Sequence, residues 1–359
     1  MSKKILIVDD SALMRRLISD IIKSRSDYEV AGIARDGLEG LEKVVGSPES
    51  YDVVILDINM PKLNGLEVLE KLQRYRIKHC TIVVSTLAIE GAHETIKALE
   101  LGAFDFVTKP VNYAEVTGSD FKAELLRKLD VACGIESAVE TQTVIKPVVT
   151  PVKRFKRTTA TPGGTSSNKL IALACSTGGP KSLQSVIPKL PANMDAPMVL
   201  VQHMPKGFTL SLAQRLNEIS KVKVSEAVDG EILEKGHVYI APGGRHMEIV
   251  KAGAGSYRIQ LNDEPPIDAL RPCANVMYDS LVKTDFDEIT CVVLTGMGAD
   301  GTKGITHLAA KKHIHVIAQD EKTCVVYGMP KAIKESGLVD VVKPLDEIAD
   351  AIIKNVGVS

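Results

Sequence analysis

Short apolar runs recur along the chain, each ending in polar or small residues. KILIVDD, VVILD, TIVVS and FDFV occupy the N-terminal third, and KLIALACS, MVLVQH, CVVLTGMG and HVIAQD follow residue 168. Between them the apolar spacing turns helical: Leu13, Leu17, Ile18, Ile21 and Ile22 fall on one predicted helix face, and SLQSVIPKL and LSLAQRL read the same way. Near-continuous apolar strands alternating with amphipathic helices predict an α/β fold with parallel sheets covered on both faces. The pattern lapses between about Asp130 and Asn168. There TQTVIKPVVTPVKRFKRTTATPGGTSSN has no acid, and Pro147, Pro151 and Pro162 forbid a continuous helix. Two domains are therefore expected, over 1–129 and 169–355, joined by a linker over 130–168. A chain of 359 residues exceeds the size of one compact core, which agrees.

Charge and composition narrow the function classes. With 44 basic and 45 acidic residues the net charge is −1, unlike a chain whose main task is gripping nucleic-acid phosphates. No apolar run reaches bilayer length and no cleavage-site pattern follows the first residues, so a cytoplasmic protein without membrane insertion is expected. The six cysteines are scattered without a C-x-x-C pair, which favours buried apolar packing over disulfides or zinc.

In parallel α/β sheets ligands bind beyond the carboxyl ends of the strands. In the N-terminal half those ends carry Asp9, Asp10, Asp57, Ser85 and Lys109. Clustered carboxylates need a cation, and hard oxygen donors with open positions suit Mg²⁺. A metal, an ammonium and a hydroxyl around one carboxylate would stabilise phosphoryl transfer to it. Asp9-Asp10, Asp57 in LDINMPKLNG, Ser85 and Lys109-Pro110 together resemble the signature of response-regulator receiver domains across roughly residues 1–125. The resemblance implies a five-stranded, flavodoxin-like parallel sheet with Asp57 as phospho-acceptor. It also implies Mg²⁺ held by Asp10, Asp57 and the Asn59 backbone carbonyl with Asp9 in the pocket, Ser85 and Phe106 as a switch pair, and a histidine kinase as phosphodonor.

In the C-terminal half Ser176 ends a strand at a glycine turn, His203 ends MVLVQH, and Asp300 lies in LTGMGADG. A serine nucleophile needs a base and a group that orients it, and these three supply the types. The bland alternative for Ser176 is a helix N-cap. Neither G-x-G-x-x-G nor G-x-S-x-G is present around it. His313 and His315 share a strand face without an evident third metal ligand, and His246 follows a turn where it could line a pocket.

ACSTGGP, VQHMPKGFT, HVYIAPGGRHM, LTGMGADG and CVVYGMP are together similar to the catalytic domain of chemotaxis protein-glutamate methylesterases, over roughly residues 168–350. That family's order is receiver, linker, esterase. The resemblance implies a doubly wound α/β catalytic domain. It implies Ser176 as nucleophile, His203 as base, Asp300 as orienting carboxylate and the Met297 N–H as oxyanion donor. The implied substrates are glutamate methyl esters, and certain glutamines, on methyl-accepting chemoreceptors, with no cofactor for the ester chemistry and with phosphorylation controlling the rate. Two departures stand out: Cys175 precedes the nucleophile where a small Ala or Ser is usual, and DALRPCANVMYDS carries Cys273 and Asn275 where the pattern has Ser and Asp. The second suggests a diverged substrate-facing surface. The rival class is a receiver controlling a non-catalytic binding module, which would show no turnover to lose on removing Ser176.

Overall fold

The computed structural model describes residues 2–86, 88–110, 120–135 and 168–358. The chain divides into two compact units, Met1–Thr143 and Val144–Ser359. Most of the expected linker, residues 136–167, lies outside the described residues.

In the first unit, strands β1 (Lys3–Val8), β2 (Tyr28–Ala34), β3 (Val53–Asp57), β4 (Thr81–Ser85) and β5 (Asp105–Thr108) alternate with helices α1 (Ala12–Lys23), α2 (Gly37–Gly46), α3 (Gly65–Arg74), α4 (Ile89–Glu100) and α5 (Asp120–Ala132). The sheet order is β2-β1-β3-β4-β5, and every neighbouring pair is parallel. The central strands β3 and β4 are buried at every position, which is why they read as unbroken apolar runs. On α1, Leu17, Ile18, Ile21 and Ile22 pack inward as the spacing predicts. Leu13 does not: it is 51% exposed, and Met14 takes the inward place in the first turn. The helix α5 runs through Ala132, so the linker starts later than residue 130. Asp130 is buried there and accepts hydrogen bonds from the Tyr28 hydroxyl and from Arg25 Nη1.

The second unit contains β6 (Lys169–Cys175), α6 (Gly179–Val186), β7 (Met198–Gln202), α7 (Phe208–Ile219), β8 (Lys223–Glu226), β9 (His237–Ile240), β10 (His246–Gly253), β11 (Ser256–Asn262), α8 (Ala274–Ser280), β12 (Glu288–Val293), α9 (Thr302–Ala309), β13 (Ile314–Gln319), α10 (Met329–Glu335), β14 (Val341–Lys343) and α11 (Ile348–Val356). Seven strands form a parallel sheet in the order β14-β13-β12-β6-β7-β9-β8. The chain leaves β6 toward β7 and later returns on its other side as β12, so β6 is the topological switch point. An antiparallel hairpin, β10–β11, stands outside the sheet and was not expected. Its alternating Met247, Ile249, Tyr257, Ile259 and Leu261 face the core shared with Met277 and Tyr278 of α8. Among the described residues no helix is long and apolar enough to cross a membrane.

Candidate functional site

Each unit places its candidate residues at the carboxyl ends of adjacent strands. In the first, Asp9 follows β1, Asp57 ends β3, Ser85 ends β4 and Lys109 follows β5. Asp9, Asp10 and Asp57 bring one oxygen each to within 4.8 Å of one another. Asp9 and Asp57 are buried and Asp10 is exposed. The Lys109 ammonium stands 2.7 Å from Asp57 Oδ2 and 3.2 Å from Asp9 Oδ2. Burial pushes the Asp57 carboxyl up to about 6 despite Lys109, and burial raises Asp9 as well. One ammonium is thus too little positive charge for this pocket. Asp9 Oδ2 is buried, and beyond the Lys109 ion pair it has no well-formed hydrogen bond. A hard divalent cation fits these unsatisfied oxygen donors.

Of the two residues expected to form a switch pair, Phe106 is buried, its ring 4.8 Å from the Lys128 ammonium. The Ser85 hydroxyl donates to the Gly91 carbonyl at 3.1 Å rather than to Asp57. Asn59 is exposed: its backbone N–H reaches Asp57 Oδ1 at a long 3.4 Å, and its side chain donates to Glu94 at 3.1 Å.

In the second unit Ser176 follows β6, His203 follows β7, and Met297 and Asp300 lie in the turn between β12 and α9. These are the three strands at the switch point. Ser176 is not the N-cap of α6; Gly178 takes that position in the left-handed region, at φ 77°. The Ser176 backbone is held from both sides, its N–H by the Thr295 carbonyl at 3.0 Å and its carbonyl by the Gly179 N–H at 2.7 Å. Gly296 packs directly on Ser176: a Cβ there would lie 2.8 Å from Ser176 Cβ and 2.5 Å from Met329 Sδ. Met297, next in sequence, is half-buried.

His203 Nε2 lies 2.8 Å from Asp300 Oδ2. The carboxylate is otherwise clasped by α8 and its own turn. Oδ2 accepts the Ala274 N–H at 2.6 Å, and Oδ1 accepts the N–H groups of Asn275 at 3.0 Å and Gly301 at 2.8 Å and the Cys273 thiol at 3.2 Å. Burial alone would raise the Asp300 pKa; the His203 bond and these backbone donors outweigh it and hold it below the usual value. Asn275 Oδ1 in turn accepts from the N–H groups of Gly301 and Gly304. The Cys273–Asn275 segment is therefore no diverged substrate surface. Cys273 and Ala274 are buried behind Asp300, and Asn275 pins the turn that presents it.

Arranged this way, a serine at a strand end, an imidazole held by an ionised carboxylate and a glycine-lined turn support acyl transfer. The matching family models divide the chain as its sheets do: CheB methylesterase matches residues 171–352, and response regulator receiver domain matches residues 5–119. This chain belongs to the CheB methylesterase family. A curated relative from Syntrophomonas wolfei subsp. wolfei, named protein-glutamate methylesterase/protein-glutamine glutaminase 1, is 41% identical over 98% of each chain. One of the same name without the numeral, from Pyrococcus horikoshii, is 42% identical over 98% of this chain and 93% of its own. The crystal structure of the Thermotoga maritima CheB methylesterase catalytic domain is 43% identical, covers 53% of this chain and 99% of that one, and superposes with a TM-score of 0.50.

Other expected or unexpected groups take lesser places. His246 is buried, with Nε2 3.2 Å from the Pro265 carbonyl. His313 and His315 face Glu288 and Asp340 at 3.2 and 3.8 Å. All six cysteines are free, and only Cys175, Cys273 and Cys291 are fully buried. Residues the motifs did not single out support the Ser176 turn. Gln319 Oε1 accepts the Thr295 N–H at 2.8 Å, and Thr295 Oγ1 donates to the Thr177 carbonyl at 3.0 Å. Their only sequence signal is a polar side chain at the end of an apolar strand.

Proposed function

We propose that this chain is a phosphorylation-activated protein-glutamate methylesterase, and a protein-glutamine deamidase at the same site. The observation that carries the reading is the 2.8 Å contact between His203 Nε2 and the buried Asp300 carboxylate, on strands flanking the Ser176 turn. Because Nε2 faces Asp300, Nδ1 is the nitrogen left to serve Ser176. Ser176 Oγ attacks the ester carbonyl of a receptor glutamate while His203 takes its proton. The Met297 backbone N–H holds the resulting oxyanion. The intermediate collapses to an acyl-enzyme as His203 passes the proton to methoxide, releasing methanol. A water, deprotonated by His203, attacks the acyl carbon and restores Ser176 with a free glutamate. With a glutamine the leaving group is ammonia. Asp300 stays ionised, fixing the imidazole tautomer and balancing its transient charge.

Asp57 is the phospho-acceptor. Asp10, Asp57 and the Asn59 carbonyl would hold Mg²⁺ with Asp9 beside them, and the bound cation supplies charge neutralisation for phosphoryl transfer. Lys109 keeps its ion pairs to Asp57 and Asp9, and Ser85 leaves Gly91 to bond the new phosphoryl group while Phe106 repacks. The working assignment keeps the expected order of receiver, linker and esterase domain, with the linker beginning after Ala132 and the esterase domain over 169–355. The phosphodonor is a chemotaxis histidine kinase, and the substrates are cytoplasmic helices of methyl-accepting chemoreceptors. The test is methanol release from methylated receptor fragments, with and without a small phosphodonor and Mg²⁺. A rate that rises with the phosphodonor and falls at least about 10³-fold in Ser176→Ala supports the reading. Turnover that survives Ser176→Ala sinks the nucleophile assignment, and equal rates in both conditions sink the regulation.

A further inference from the structure

Gln202 is the last residue of β7 and is 1% exposed. A buried primary amide is costly unless its donors and acceptor are met. Here they are met by the two ends of the candidate reaction centre. Nε2 donates to the Ser176 carbonyl at 3.0 Å and to the His203 carbonyl at 3.2 Å. Oε1 accepts the Cys175 thiol at 3.0 Å. Cys175 and Gln202 are register partners across β6 and β7, so the contact joins neighbours at the last rung of the ladder. Beyond that rung one backbone bond remains, from the His203 N–H to the Cys175 carbonyl at 3.2 Å, and the side-chain amide adds to it by tying the first residue past each strand to one donor group.

The arrangement has a single sense. Reversing the amide would set Oε1 against two carbonyl oxygens, which are acceptors only. The Cys175 thiol reinforces it: full burial raises its pKa, so it stays a neutral donor to Oε1. Space for the amide exists because residue 179 is glycine; a Cβ there would lie 1.9 Å from Gln202 Oε1. The residue that departs from the small Ala or Ser of the family thus has a place, as the thiol that fixes the Gln202 orientation.

We propose that Gln202, locked by Cys175, is a positioning residue that sets the spacing of Ser176 and His203 for the hydrolysis. The inference rests on the reading of those two residues as nucleophile and base. Its test uses the full chain with phosphodonor and Mg²⁺, measuring kcat and KM for methanol release alongside thermal unfolding. Wild type and Ser176→Ala are run in the same series. Gln202→Met keeps the length and loses every hydrogen bond; kcat should fall about 10- to 100-fold with KM held within about twofold, as misplacement of reacting groups predicts. Cys175→Ala should lower kcat by a smaller factor, about 2- to 10-fold, and Cys175→Ser, which restores a donor, should recover most of that loss. A folded Gln202→Met enzyme with wild-type kcat, or one altered only in KM, overturns the proposal. If Gln202→Met does not fold, the cysteine pair decides: equal kcat in Cys175→Ala, Cys175→Ser and wild type overturns it. Wild type that releases no methanol overturns the methylesterase reading, and this inference with it.

Discussion

Asp300→Asn is close to isosteric, yet the geometry around the carboxylate makes it a severe change. The carboxylate accepts from His203 and the Ala274 N–H on one oxygen, and from Asn275, Gly301 and Cys273 on the other. An asparagine must place its NH₂ group against one of these sets. Facing Asn275 and Gly301 it would orphan the Asn275 N–H, at about 1.5–3 kcal/mol for a bond to a charged acceptor, leave the Gly301 N–H only its bond to Asn275 Oδ1, and set the NH₂ group against other donors with no nitrogen or oxygen acceptor of its own. Facing His203 it orphans only the Ala274 N–H and can donate to Nε2, so this orientation wins by roughly one such bond. That choice forces the imidazole proton onto Nδ1, the nitrogen that must accept from Ser176. The expected result is a fall in kcat on the order of 10⁴-fold, the cost of a wrong tautomer, with about 1.5–3 kcal/mol of lost stability. Phosphodonor-activated methanol release at saturating receptor fragment measures the first, and denaturant unfolding of the same sample measures the second. A kcat within tenfold of wild type would refute the role given to Asp300.

Other perturbations follow from the same geometry. His237 is buried against Tyr239 at 3.8 Å between ring centroids, bonds Ser225 Oγ at 2.8 Å and leaves Nδ1 unpaired. Burial, then the nearby Lys223, lower its pKa to about 4. A folded value depressed below the unfolded ~6.5 means stability is complete above that pH and is lost as pH falls toward 4, by about 3 kcal/mol. Unfolding free energies from pH 7 to 4 should show that slope in wild type and a shallower one in His237→Gln; identical slopes dismiss the assignment. Asp57→Asn should abolish stimulation by phosphodonor while leaving the basal rate measurable, and a variant still stimulated would remove Asp57 as acceptor. Gly296→Ala drives a methyl within 2.8 Å of Ser176 Cβ and 2.5 Å of Met329 Sδ. Its kcat should drop about 100-fold if Ser176 is displaced by as much as 1 Å, and an unchanged kcat would show that the turn yields without moving the nucleophile.

What could be read from the chain followed burial. Strands buried on both faces leave unbroken apolar runs, so β1, β3, β4, β5, β6, β7, β12 and β13 were all legible. Among the edge strands, β2 alternates buried and open positions over Tyr28–Ala34, and β8 and β14 have only four and three residues, whereas β5 is buried at three of its four positions and so could be read despite its place at an edge. The hairpin β10–β11 hides for another reason: one face meets the core and the other meets solvent, so polar residues interrupt it. At the site, groups that carry charge or a hydroxyl at a strand end were visible as types. The backbone donors to Asp300 were not, because an N–H has no side-chain signature. For the same reason the Cys273–Asn275 segment was read as substrate surface, although its contribution is two main-chain N–H groups, a thiol and an amide that pins a turn.

In the function proposed above, Asp57 and Asp300 fit one residue type to opposite tasks. Both are buried carboxylates at the carboxyl end of a sheet, and desolvation pushes both pKa values up. Asp300 is met by three backbone N–H groups and an imidazole, and ends below its ordinary value. Every lone pair it has is engaged, so it is held as a fixed negative charge and is a poor nucleophile. Asp57 has one ammonium at 2.7 Å and one N–H at 3.4 Å, shares its pocket with Asp9, and ends at about 6. Its remaining capacity is what a divalent cation and an electrophilic phosphorus require. The difference lies in the number and placement of donors. It predicts that adding donors around Asp57 would slow phosphorylation, just as removing them from Asp300 would slow ester hydrolysis.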